Sequence, residues 1–170
     1  MALVGNGLEY DKTFLAGASL RTTTSQYLIA GIESTSTSAD FTVYLTGAGS
    51  TPASSITSRS AIGVVQSYQS SGSTEVTVRM FGISKAKCAA SIACGSFVVA
   101  YEGASTTTFA GHLSALVESS IATTVTISNT VAVVTPQLVL GRALEAGSTN
   151  TVISIMISPA PYSRINLSTT

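Results

Sequence analysis

Residue types that carry chemistry are few in this chain. There is one histidine, His112, with eight Asp or Glu, eight Lys or Arg and two cysteines. Histidine is the side chain suited to proton transfer near neutrality, so acid–base or nucleophilic chemistry would centre on His112. A Ser–His pair can be drawn from it, but among 27 serines some such pairing arises by chance. No G-x-S-x-G elbow accompanies it. His112 is expected on a loop or a helix surface, and no catalytic residue is assigned. Zinc requires three or four His, Cys or carboxylate ligands, and Cys88 and Cys94 have no such partners at ligand spacing. They read as free, buried thiols, with a local disulfide as the alternative. The acids are scattered, without the paired carboxylates of a glycosidase or the clustered Asp and Asn of a calcium loop. Gly5-x-Gly7 and Gly47-x-Gly49 lack the third glycine and the strand-to-helix setting of a phosphate loop, and read as turns. The expectation is a non-enzymatic protein with no cofactor, no metal site and no small-molecule substrate.

What remains is contact chemistry. Lys85 and Lys87 are the one close pair of basic residues. Two apart on a strand, they share a face, and form either a small contact patch or a charged edge that discourages strand pairing. Formal net charge is zero, so no long-range field draws the chain to nucleic acid or to an anionic membrane. Only 9% of residues are charged, against about 25% in a typical soluble protein. Ser and Thr fill 51 of the 170 positions instead. Such a surface loses little hydration energy on burial, which suits large, dry, permanent interfaces. There is no Trp, and the six tyrosines do not cluster like a sugar-binding platform. No apolar run approaches the roughly 20 residues of a membrane span. The first residues lack a basic n-region and an apolar h-region, so no signal peptide is expected and synthesis in a cytoplasm is.

The elements that would position these residues follow a period of two, with turns every ten residues or so. Residues 1–25 are polar and weakly patterned and read as an extended arm. Strands are expected over 26–32, 41–45 and 61–66, the last turning at Gly72-Ser73-Thr74 into the alternating run 75–81 to make a hairpin. Val76, Val78 and Met80 should face inward. Gly82 punctuates the chain before another strand over 85–90, and Cys94-Gly95 turns into a strand over 96–101. Gly111 to Ser120 is the one helical candidate, on Leu113, Leu116 and Val117 at i, i+3 and i+4. Further strands are expected over 123–127, 131–134, 138–144 and 151–157, with Val152 and Ile155 in the core. Pro159 and Pro161 cannot donate to a ladder and should end the sheet. The hairpin over 61–81 is echoed over 138–157, either by reuse of turn chemistry or by an old duplication. The organisation expected is an arm over 1–25, a β-rich domain over 26–157 with 34–60 as an insertion, and a tail over 158–170. The fold class expected is all-β, a compact β-barrel or sandwich built of hairpins.

One section is similar to a known family. Ala61-Ile62-Gly63-Val64-Val65-Gln66, then Gly72 and Glu75-Val76-Thr77-Val78-Arg79-Met80-Phe81-Gly82, then Lys85-Ala86-Lys87 and Ile92-Ala93-Cys94-Gly95-Ser96-Phe97-Val98-Val99, resemble the capsid decoration (cement) proteins of tailed phages. Leu140-Gly141-Arg142-Ala143-Leu144-Glu145-Ala146-Gly147, followed by a final aliphatic strand, resembles the closing hairpin of that family. The resemblance covers about 100 residues and carries no catalytic residue. The segments Ser34–Ser60 and Ser105–Thr135 depart from it. It implies a virion protein on the capsid exterior, a homotrimer that binds the major capsid protein and holds neighbouring capsomers together. Two other readings stand beside it: another virion β-protein (tail, fibre or minor head component), or a small-ligand or carbohydrate-binding β-module.

Overall fold

The computed structural model describes residues 9–17, 20–21, 25–32, 42–46, 61–67, 74–101, 107–116 and 137–162. They form nine strands and a short 3-10 turn, Thr107–Phe109. The strands are β1 (Tyr10–Ala16), β2 (Ile29–Ile32), β3 (Thr42–Leu45), β4 (Ala61–Val65) and β5 (Glu75–Lys87), then β6 (Phe97–Ala100), β7 (Leu113–Ala115), β8 (Gln137–Ala143) and β9 (Val152–Tyr162). The chain is all-β. The first five strands close into a barrel in the order β1-β3-β2-β4-β5, with β5 returning to β1. Phe14, Ala30, Val43, Val65, Val76 and Val78 fill its interior. Each buried Val or Ile contributes about 1.5–3 kcal/mol, so this closed core is the stable centre of the chain.

The expected hairpin is present, with Val64 opposite Arg79 and Val65 opposite Val78. Its second strand does not stop at Gly82. β5 runs on to Lys87 as a single 13-residue strand. Gly82 takes φ 100°, a conformation open to glycine and costly for other residues, and the strand changes partners there. Before Gly82, β5 pairs with β1 and β4; from Gly82 to Lys87 it pairs with β9. Arg79 supports the bend. Its guanidinium bonds both carboxylate oxygens of Asp11 on β1 at 2.8 and 3.0 Å and donates to the Ile83 carbonyl beyond the glycine at 2.6 Å. A second sheet, β5-β9-β8-β6-β7, thus grows from the barrel wall. Leu113, Leu140, Ile153, Ile155 and Ile157 of this sheet pack on Ile29 and Val64 of the barrel.

Several expectations are corrected. The stretch over 1–25 is not simply an arm: β1 pairs with β5 from Tyr10 to Leu15 and with β3 at Leu15 and Ala16, and Phe14, Ala16 and Leu20 are buried. Few apolar residues mark β1, because a closed barrel needs only its inward positions filled. The helical candidate is a strand where it is described. Leu113, Ser114 and Ala115 pair with Ala100, Val99 and Val98 of β6, and the Leu116 amide donates to the Phe97 carbonyl. A helix of fewer than three turns does not offset its nucleation cost, whereas this ladder and the burial of Leu113 favour the strand. The strand expected over 26–32 begins only at Ile29, as β2, because Tyr27 sits at φ 66° and bonds the ends of β4 and β5.

β9 also continues through Pro159 and Pro161. Its pairing with β8 runs on to Leu138↔Pro161 and Gln137↔Tyr162, whereas its pairing with β5 ends at Ile157. Two prolines two residues apart lack their N–H on the same edge, and one edge of β9 has no described partner strand beyond Ile157. In the aliphatic run of β9, Ile153, Ile155 and Ile157 face the core and Val152 is exposed. The expected strands over 123–127 and 131–134 lie outside the described residues. The segment over 34–60, expected to be an insertion, is described only at 42–46, and there it supplies β3, which sits between β1 and β2 in the barrel wall and buries Val43 and Leu45.

Candidate interaction surface

The outer face of the second sheet carries apolar residues where alternation predicts polar ones. On β5 the positions facing outward are Phe81, Ile83, Lys85 and Lys87; on β9 they include Val152, Ser154 and Met156. The ladders place Ile83 beside Met156, Met156 beside Arg142, and Arg142 beside Phe97. One row therefore crosses β5, β9, β8 and β6, roughly 15 Å from end to end at the usual strand spacing. Ile83 is 49% exposed, Met156 39%, and Phe97 36%, with Leu144 at 41% beside them. Single exposed apolar residues are ordinary on a protein surface, but a contiguous group marks an interaction site.

The row borders a groove of about 490 Å³ lined by Phe97, Val139, Arg142, Leu144, Met156 and Ala160. Gly141 deepens it for a steric reason: a Cβ there would overlap the Met156 carbonyl, so only glycine lets β8 and β9 approach this closely. Gly63 stands in the same relation to the Arg79 carbonyl in the first hairpin. The two hairpins that echo each other in sequence thus share a packing device. The Arg142 guanidinium lies over the Phe97 ring, 4.2 Å from its centroid. It has no carboxylate partner among the described residues. Lys85 projects from the same face, and the one described acid beside it is Glu145. Both Glu145 oxygens are engaged, one by the Ser154 amide and one by its hydroxyl, each at 3.0 Å. Those two bonds and the Lys85 charge hold the Glu145 carboxyl below its ordinary range. Lys85 and Lys87 lie on the half of β5 whose described partner is β9 alone, a sheet edge where charge discourages further pairing.

His112, Cys88 and Cys94 do not line this groove. His112 is not on a surface; it is 5% exposed, between Gly111 and β7. Its Nδ1 donates to the Ala110 carbonyl at 3.1 Å, and its Nε2 is buried with no hydrogen-bond partner among the described residues. Phe109 meets the ring edge-on at 5.4 Å. Burial pushes the His112 pKa below its usual value, and the Lys87 charge adds to this. Cys88 and Cys94 are both free. Cys88 is buried, which pushes its thiol pKa up and makes it a poor nucleophile. Cys94 is exposed, contrary to expectation, because it sits in the Gly95 turn and donates only to the Leu144 carbonyl. No cluster of three His, Cys or carboxylate groups occurs among the described residues. Gly5-x-Gly7 and Gly47-x-Gly49 fall outside them.

Neither the outer row nor the Arg79–Asp11 clamp was found from sequence. Asp11 and Arg79 are 68 residues apart, and nothing local links them. The row had a signal: Phe81, Ile83 and Met156 break the polar-outward alternation of otherwise regular strands. Searches against protein-family models, curated proteins and solved structures return no match for this chain.

Proposed function

We propose that this chain is a structural virion protein that docks on the exterior of a phage capsid as a homotrimer and holds neighbouring capsomers together. The observation that carries the reading is the apolar row Ile83–Met156–Arg142–Phe97, displayed on a rigid sheet in a protein with very little surface charge. Such a face is suited to permanent burial against another protein. The resemblance of the 61–99 and 140–147 segments to capsid decoration proteins supplies the partner, the major capsid protein. Synthesis in the host cytoplasm and residence on the virion exterior belong to the same proposal.

A chain that binds the assembled shell and not its dissociated subunits must stabilise that shell. Decorated heads should therefore disrupt at a higher temperature than bare heads of the same phage. Contacts made by apolar burial and hydroxyl hydrogen bonds are little affected by ionic screening, so the gain should persist at about 1 M salt. Equal disruption temperatures with and without the protein would remove the cement reading. A groove of about 490 Å³ also lies within the size range of small-ligand sites, which favours a binding module as the second reading. That alternative requires a monomer that leaves shell stability unchanged.

A further inference from the structure

We infer that the groove on the outer face of the second sheet is a binding site for an extended peptide segment that presents a carboxylate between aliphatic side chains. The walls supplied by Phe97, Val139, Leu144 and Met156 are apolar and accept aliphatic groups. Arg142 is held among them by its stacking on Phe97 and by the ladder pairs with Phe97 and Met156. A guanidinium offers a planar fork of donors matched to a carboxylate, and that of Arg142 has no anionic partner among the described residues. Glu145, the one described acid on this face, is turned to Ser154. Lys85 extends the positive field along the same side of the sheet.

A ligand that satisfies this surface is anionic at Arg142 and apolar on both sides of it. The row of roughly 15 Å accommodates about five extended residues, in which alternate side chains point to one face. An aliphatic–x–acidic–x–aliphatic pattern therefore places its carboxylate and its apolar groups on one face, in register with the groove. A lysine-bearing segment would be repelled, and a purely aliphatic one would leave the guanidinium without an acceptor. The inference rests on the docking role proposed above, since it states the chemistry of the shell segment that this face would receive.

The test uses the full chain and a blocked pentapeptide with leucine at its first and fifth positions, glutamate at the third and serine between them, compared with its counterpart carrying glutamine at the third, followed by amide chemical shifts. The glutamate peptide should perturb Phe97, Arg142, Leu144 and Met156, and the glutamine peptide should bind about tenfold more weakly, as loss of a charged hydrogen-bonded pair implies. Arg142→Gln should abolish the difference between the two peptides while leaving the chain folded, because the residue is exposed and the variant loses only its stacking on Phe97. Equal affinity for both peptides, perturbation centred elsewhere, or none at all would overturn the inference. So would concentration-dependent self-association that broadens the same amides without peptide, since a second copy would then be the occupant. Shell protection unaffected by Arg142→Gln would overturn the role of this groove while sparing the docking proposal. Peptide binding without shell protection would uphold the site and remove that proposal.

Discussion

His112 is where proton chemistry meets stability in this molecule. Its ring is buried, one nitrogen bonded to the Ala110 carbonyl and the other unpartnered, and its pKa in the fold lies below the unfolded value of 6.5. The unfolded chain therefore binds more protons than the fold at pH values just below 6.5, and stability rises with pH across that window. Its contribution is complete above the unfolded pKa and is lost as pH falls through the folded one. Asp11 and Glu145 act in a lower range. Their pKa values are depressed from 3.8 and 4.5, so the stability they add is present above those values and lost only below them. Thermal unfolding followed from about pH 7.5 to about pH 5 should show wild type losing stability while His112→Gln stays nearly flat. A wild-type curve as flat as the variant's would mean that His112 titrates freely in the fold.

At the scale of elements, two hairpins depend on backbone approach that only glycine permits. Gly63 on β4 faces the Arg79 carbonyl and Gly141 on β8 faces the Met156 carbonyl, each closer than a Cβ could tolerate. Gly141→Ala must push β8 from β9 and disturb the packing of Leu140 and Ile157 beneath, a cost of about 1–3 kcal/mol or more, as for overpacked cores. Gly95 provides the contrast. It has φ +82° but nothing within 4 Å of a built Cβ, so Gly95→Ala should cost only the backbone penalty of about 1 kcal/mol. Urea denaturation of the two variants should separate them in that order. If Gly141→Ala proved the milder change, the close approach of β8 and β9 would be wrong. The bend at Gly82 belongs to this scale too, since it turns one strand into the shared wall of two sheets.

For the whole molecule, closure of the barrel is the feature on which the rest depends. β1 is the strand that closes it, through β5 on one side and β3 on the other. Removing residues 1–20 deletes β1 with Phe14, Ala16 and Leu20, and leaves the edges of β3 and of the first half of β5 without their partner. Loss of three buried apolar side chains and a six-pair ladder should unfold the barrel, because it removes more than the few kcal/mol by which domains of this size are stable. Circular dichroism and size-exclusion profiles of the truncated chain would show this directly. A truncated protein that eluted and melted like the full chain would mean that β1 is dispensable and that the stretch behaves as an arm after all.

Much of this architecture was legible in the residues themselves. The alternation over 75–81, the glycine turn at 95 and the aliphatic run over 152–157 sufficed for strands, for two hairpins and for the all-β class, because period two is a local property of the chain. Free thiols also followed, from the absence of partners. Partner choice is not local. Nothing near Tyr10 indicates that it will lie beside Phe81, and nothing near Gly82 shows that the strand continues past it with a new neighbour. Nor does a run such as Val152 to Ile157, apolar at nearly every position, reveal which phase faces inward; the ladder with β5 decided for Ile153, Ile155 and Ile157. The same decision placed Met156 outside, next to Ile83 and Arg142. The make-up of this outer apolar face was therefore decided by tertiary structure, since residues from four strands share it only after the ladders have set their register.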